Sequence, residues 1–222
     1  MKTIIAVIPA YNEEDRLRAT LQAVKSISGI DKIIVVNDGS TDKTSEVACA
    51  QGVTVVDLPE NRGKGGALNA VVPMLDSDVV VFLDADLGDS AAEAVKIIAP
   101  VINGQTDLCV AAFPPPTKKG GFGLVKGTAA RAIKKAGGLD VIAPLSGQRA
   151  MTREVLQAVT PFQEAYGVEL GMSIKALRNG FRLMEVPTTM SHNETGRDLK
   201  GFLHRGRQFF DVIRVIRLQK RG

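Results

Sequence analysis

Residues 79–89 read VVVFLDADLGD, and this stretch limits what the chain can become. Val79 to Leu83 is an unbroken apolar run, the pattern of a strand buried on both faces of a parallel sheet. It stops at Asp84-Ala85-Asp86. Two carboxylates two residues apart at the mouth of a buried strand repel each other and lose part of their hydration. A divalent cation shared with substrate phosphates would compensate, because such ions take hard oxygen ligands. Two solvated turn aspartates, with Asp86 or Asp89 capping the next helix, have the same spacing, so the stretch alone leaves both options open.

The rest of the first half repeats one alternation. Thr3 to Ile8 is apolar and β-branched, and Asn12 is placed to cap a helix whose first turn is Glu13-Glu14-Asp15. Leu17, Leu21, Val24 and Ile27 then recur on one helical face. Strand-like runs follow at Lys32–Val36, Val53–Leu58, Val79–Leu83 and Leu108–Phe113. Helices are expected between them, to about Gln51, from Ala67 and through about Ile102. That order calls for a mostly parallel sheet with helices on both faces, a nucleotide-binding type of α/β domain. In such sheets ligands sit beyond the carboxyl ends of the strands. Four polar or Gly-rich clusters fall there: Pro9–Glu14, Asn37–Asp42, Asn61–Gly66 and Asp84–Asp86.

After Phe113 the regularity breaks. Residues 114–121, PPPTKKGG, read as a basic, turn-rich loop, a connector or a lid. Tyr166-Gly167-Val168-Glu169 opens a helix to Arg178, and Phe181–Val186 reads as a strand ending at Pro187. Residues 1–198 are expected to form one domain. Residues 199–222 carry apolar positions at helical spacing with Arg and Lys elsewhere, a basic amphipathic helix. Such a helix packs on its own domain or on a partner copy in a homodimer, or lies on an anionic membrane surface.

Composition narrows the function. With no Trp and 5% aromatics in 222 residues, stacking platforms for nucleic acid are poorly supplied. The net charge of +4 suits anionic substrates or a membrane surface. Cys49 and Cys109, on a predicted helix and strand, fit a reducing cytoplasm rather than a disulfide scaffold. The start, MKTIIAVIPAYNEED, reads as a strand instead of a leader peptide, and no apolar run approaches the ~20 residues of a spanning helix. A soluble or at most peripheral cytoplasmic protein is expected.

Several chemistries drop out. PAYNEE replaces the glycine-rich turn a dinucleotide fold needs after its first strand, and Gly63-Lys64-Gly65-Gly66 lacks the Ser or Thr that follows Lys in a P-loop. With only His192 and His204, no Ser-His-acid set is credible. A cation at Asp84/Asp86, Lys64 in a glycine-rich segment and His192 beyond a late strand remain. A metal there would neutralise a diphosphate leaving group, the chemistry of transfer from a nucleotide-diphosphate compound.

These residues carry a family resemblance. PAYNEE at 9–14, VNDGSTD at 36–42, NRGKGGALN at 61–69 and DAD at 84–86, in that order, resemble the family-2-like glycosyltransferases of the GT-A fold over nearly the whole chain. SGQRAM at 146–151, YGVELGM at 166–172 and the His192 segment are most similar to glucosyl-3-phosphoglycerate synthase-type enzymes. The resemblance implies that Pro9, Tyr11 and Glu13 contact the nucleoside and that Asp38 and Ser40 read base or ribose. It implies Lys64 near the diphosphate or base, Asp84-Ala85-Asp86 around ribose and metal, and Mg²⁺ or Mn²⁺ held by Asp86 and His192. Glu169 is implied as a catalytic carboxylate, either a general base or a holder of acceptor or sugar hydroxyls, with the acceptor near residues 137–149 and Arg149 taking its phosphate or carboxylate. The expected reaction moves a sugar from a nucleotide-diphosphate donor, UDP-linked, to a small anionic acceptor. The alternative is a polyprenyl phosphate acceptor at the membrane, with residues 199–222 as the surface anchor.

Overall fold

The strands of the first half form where their β-branched runs predict. The structure, a computed structural model, describes residues 2–114, 123–163 and 167–191. Among these, seven strands make one sheet: β1 (Ile4–Ala10), β2 (Lys32–Asn37), β3 (Thr54–Asp57), β4 (Val79–Phe82), β5 (Leu108–Ala112), β6 (Arg149–Thr152) and β7 (Leu183–Pro187). Their order is β3-β2-β1-β4-β6-β5-β7, and every neighbour pairing is parallel except the two made by β6. The expected tail helix, residues 199–222, lies outside the described residues. No helix among the described residues is long and apolar enough to cross a membrane.

Side chains of the central strands leave alternately to the two faces, as a pleated strand requires. Ile4, Ala6 and Ile8 of β1 join Val79 and Val81 of β4 under α1 (Leu17–Lys25) and α4 (Val95–Ile102). Ile5 and Val7 join Val80 and Phe82 on the other face, under α3 (Gly63–Val71), α6 (Arg153–Val159) and α7 (Val168–Arg178). Both faces are covered, which is why these strands read as continuous apolar runs. A smaller cluster joins α5 (Gly123–Gly137) to α7 through Ala129, Ile133, Leu170 and Ile174. From β1 the chain builds outward through β2 to β3, then returns to place β4 on the other side of β1. The carboxyl ends of β1 and β4 therefore flank a topological switch point, where open α/β sheets bind ligands.

Three local expectations are corrected. Asn12 does not cap a helix: it sits at φ +56°, and α1 begins at Leu17 after a turn in which the Glu13 carbonyl accepts from the amides of Arg16 and Leu17. Its polar atoms serve the neighbouring loop, the amide donating to Ser40 Oγ at 2.9 Å and Oδ1 accepting from the Thr41 amide at 2.9 Å. Helix α3 starts at Gly63, four residues before the expected Ala67, so the glycines form its first turn. Arg149, the last residue of the stretch expected near the acceptor, opens strand β6 (Arg149–Thr152). Four residues beginning with a buried arginine carry no alternation to announce a strand.

The antiparallel run of β6 has a consequence for function. Phe82 stands opposite Arg149 and Val81 opposite Ala150. Continuing that register past Phe82 sets the segment just before β6 beside Asp84, so the sheet itself delivers Gly147 and Gln148 to the end of β4.

Gly39 shows how tightly the loops at this edge are packed. It adopts φ +69°, and a Cβ there would stand 2.6 Å from the carbonyl carbon of Glu60. Gly39→Ala is expected to cost about 1–3 kcal/mol from the backbone conformation, with the clash adding to it. A drop in the denaturant midpoint with an unchanged slope would measure that loss.

Candidate active site

The loops that follow β1 and β2 are laced together before any ligand arrives. Besides the Asn12 contacts, the Glu13 amide donates to Thr44 Oγ1 at 2.8 Å and the Glu14 amide to Asp42 Oδ2 at 3.1 Å. The Lys43 amide donates back to Glu14 Oε2 at 2.9 Å. Ser40 thus uses its hydroxyl as an acceptor within this lacing. Asp38 is buried at 4% exposure, and its Oδ1 accepts from the Arg62 amide at 2.8 Å, tying the end of β2 to the start of α3. Pro9 lies on β1 opposite Val36. Tyr11, two residues further on, leaves its ring 46% exposed, a flat apolar surface at the cleft.

At the end of β4, Ala85 and Leu87 turn inward and are buried, while Asp84 and Asp86 stay at the surface of the cleft. The two aspartates have different surroundings. Asp84 is held on both oxygens, Oδ1 by Lys64 Nζ at 2.6 Å and Oδ2 by Gln148 Nε2 at 2.8 Å. Asp86 lies close enough to Glu13 for its charge to be felt there. Glu13 is pushed above its ordinary value by burial and then by the charges of Asp86, Asp42 and Asp84, with Arg16 opposing. A surplus of negative charge around hard oxygens fits a divalent cation. Among the described residues no three acidic, His or Cys side chains are grouped so as to hold a metal by themselves. His192, the expected second ligand beside Asp86, lies outside the described residues.

Lys64 joins the two halves of the site. Its ammonium lies 2.6 Å from Asp84 Oδ1 and 2.9 Å from Glu169 Oε1, so α3, the end of β4 and the first turn of α7 meet at one charge. Burial works against the charge on Lys64, but Asp84 and Glu169 outweigh it and raise its pKa. Burial also works against ionised Glu169, and there Lys64 and then Arg149 win, holding the carboxyl below its ordinary range. Gly147 makes room for this group, because a Cβ at that position would collide with Lys64 Nζ and stand 2.7 Å from Asp84 Oδ2.

Arg149 corrects the expectation that it takes an acceptor's phosphate or carboxylate. It is fully buried, and its Nε donates to the Ser146 carbonyl at 2.8 Å while Nη1 donates to Ser173 Oγ at 2.8 Å. Ser173 Oγ in turn donates to the Glu169 carbonyl at 3.1 Å. Desolvation pushes the guanidinium down to about 10, with Glu169 and Glu185 opposing. Arg149 is therefore a strut between residues 144–148 and the turn of α7 that presents Glu169. On the outer side of that loop, Glu185 of β7 accepts from the amides of Ile142 and Ala143 at 2.6 and 2.7 Å. Of the residues singled out in sequence, Lys64, Asp84 and Glu169 come into direct contact, and Glu13 shares the field of Asp86. Gln148 and Gly147 lie in the 146–151 motif, but their roles beside Asp84 depend on the register of β6.

A cleft of this make-up, at the switch point of a doubly covered sheet, is the ligand-binding position of an open α/β enzyme fold. The family model described as Glycosyl transferase family 2 matches residues 5–158, and the chain belongs to that family. It is 30% identical over 208 residues to glucosyl-3-phosphoglycerate synthase of Mycolicibacterium smegmatis, covering 78% of this chain and 63% of that one. An uncharacterized protein of Methanocaldococcus jannaschii is 31% identical over 206 residues, covering 86% of this chain and 82% of its own. Among solved structures, glucosyl-3-phosphoglycerate synthase of Mycobacterium tuberculosis in complex with Mn²⁺, UDP and phosphoglyceric acid superposes with a TM-score of 0.80 at 29% identity. That match covers 97% of this chain and 77% of the other. The fold is GT-A. The chain thus spans less than two thirds of the length of the M. smegmatis relative.

The ion cluster predicts a pH signature. Glu169, depressed on folding, contributes stability that is present above its unfolded pKa and lost as pH falls through its folded one. Lys64, raised on folding, contributes stability present below its unfolded pKa and lost as pH rises through its folded one. Lys64→Met leaves two carboxylates facing each other, and is expected to destabilise at neutral pH toward the lower end of about 3–5 kcal/mol, since the site is partly hydrated. That deficit should shrink as pH falls toward 4 and the carboxylates protonate. Urea unfolding of both proteins across pH 4–8 checks it, and a deficit that is flat with pH contradicts the electrostatic origin.

Proposed function

We propose that this chain transfers a sugar from a nucleotide-diphosphate sugar, UDP-linked, to a small anionic acceptor of the phosphoglycerate kind. The observation that carries the reading is the Asp84–Lys64–Glu169 group at the switch point, with Asp86 beside it in an acidic field. Solved M. tuberculosis relatives support its details: they hold Mn²⁺ with UDP-glucose and phosphoglyceric acid, and Mg²⁺ with UDP. Tyr11 offers its exposed ring to the base, and Asp38, fixed by the Arg62 amide, offers its second oxygen toward base or ribose. Asp86, with phosphate oxygens of the donor, would hold Mg²⁺ or Mn²⁺, which supplies charge neutralisation for the departing diphosphate.

The chain's own groups then divide the work. Lys64, pinned from two sides, presents a fixed positive charge to the donor without having to reorganise during reaction. Asp84, Gln148 and Glu169 form a wall of acceptors and donors of the kind that grips sugar hydroxyls. Glu169 is held ionised, with its pKa depressed away from neutrality, which suits it to accept hydrogen bonds from hydroxyls better than to take up a proton as a general base. Gly147 keeps the floor of this wall low enough for the Lys64 ammonium to lie over it.

Three measurements test the reading. Among UDP-, GDP-, CDP- and dTDP-sugars assayed with Mn²⁺ and 3-phosphoglycerate, the UDP-sugar is expected to give transfer. Asp86→Ala, with its circular dichroism unchanged, should lose at least about 100-fold in turnover. Gly147→Ala, which pushes Lys64 off its two partners, is expected to raise the KM for the donor and lower kcat together. Transfer that survives in Asp86→Ala would refute the assignment.

A further inference from the structure

Helix α1 carries one hydroxyl where its apolar stripe should be continuous. Leu17, Leu21 and Val24 are fully buried, and so is Thr20 between them. A helical threonine usually bonds back to the carbonyl four residues earlier. Here the Arg16 carbonyl is 3.5 Å from Thr20 Oγ1, too long to hold its proton. The hydroxyl turns outward instead, donating to the Ala85 carbonyl at 2.7 Å and accepting from the Gly88 amide at 2.8 Å. Both capacities of one buried side chain are spent on the two ends of a four-residue turn.

That turn is Ala85-Asp86-Leu87-Gly88. Its inward residues Ala85 and Leu87 are buried at 4% and 3%, and Gly88 takes φ +54°, so the peptide path is held at both edges. Asp86 sits between the two hydrogen bonds. Ser90 Oγ adds a third tie by donating to the Leu87 carbonyl at 2.6 Å. We infer that Thr20, from helix α1 packed against this turn, is a positioning residue that sets the direction of the Asp86 carboxylate and so its affinity for a divalent cation. The inference rests on the reading of Asp86 as a cation ligand given above. Remote groups that orient a ligand change metal affinity by about 10–100-fold when removed.

The test uses the full chain with saturating UDP, titrated with Mn²⁺, following free Mn²⁺ by electron paramagnetic resonance and the melting temperature in parallel. Thr20→Val keeps the shape and removes both hydrogen bonds; it is expected to weaken Mn²⁺ binding at least about tenfold. Thr20→Ser restores the hydroxyl and should return binding to near wild type. Val24→Ala, one turn along the same stripe, lowers the melting temperature without touching the turn and should leave Mn²⁺ affinity unchanged. Equal affinity in Thr20→Val and wild type overturns the inference, as does an equal loss in Val24→Ala. If Thr20→Val does not fold, Thr20→Ala, which leaves room for water, takes its place under the same criteria. Wild type that binds no Mn²⁺ with UDP, or Asp86→Asn that binds it unweakened, defeats the cation reading itself and this inference with it.

Discussion

One ammonium group holds the cleft together. Lys64 sits between Asp84 at the end of β4 and Glu169 at the start of α7, two positions more than eighty residues apart in the chain. Lys64 holds Glu169 ionised against its burial, and Asp84 and Glu169 in turn hold the charge on Lys64. Net charge of this trio is negative, so an incoming cation or a set of sugar hydroxyls meets an ordered acceptor surface. The supports around it are neutral or buried: Gln148 on Asp84, Ser173 under Glu169, Arg149 under both the loop and the helix. Such struts let the charged groups keep their positions while their partners change.

How the sheet brings these groups together follows from its one reversed strand. Parallel strands place only their carboxyl ends at the switch point. Because β6 runs the other way, its leading residues arrive at the same edge, and Gly147 and Gln148 can pair with a carboxylate that belongs to β4. The donor side of the cleft is built from loops after parallel strands, in the usual manner of open α/β sheets. The remaining side needs the reversal.

Sequence carried the first side and missed much of the second, for physical reasons. The buried parallel strands are apolar runs that only a doubly covered sheet explains, and the clusters at their ends stand out against them. Lys64, Asp84 and Glu169 could be chosen as residues of interest, but their mutual contact depends on how α7 docks, which local pattern does not encode. Asn12 looked like a cap because Asn before acidic residues usually is one; here its backbone is left-handed and its side chain is spent on a neighbouring loop. Arg149 was expected to take an anion because the family resemblance sets it at the end of the acceptor stretch, whereas the partners that allow it to be buried are a carbonyl and a serine from another helix. Thr20 was hidden in an apolar stripe, as a residue whose importance lies in the turn it touches beyond β4.

Glu185 has a bearing on the order in which the molecule is completed. It belongs to the edge strand β7, and it anchors residues 142–143 by two backbone amides more than forty positions upstream. The loops beyond β1, β2 and β4 need only the pairings of those strands, while the opposite wall depends on residues much later in the chain. Until β7 docks, the amides of residues 142–143 lack the carboxylate that holds them, so this wall of the cleft is completed from the sheet edge inward.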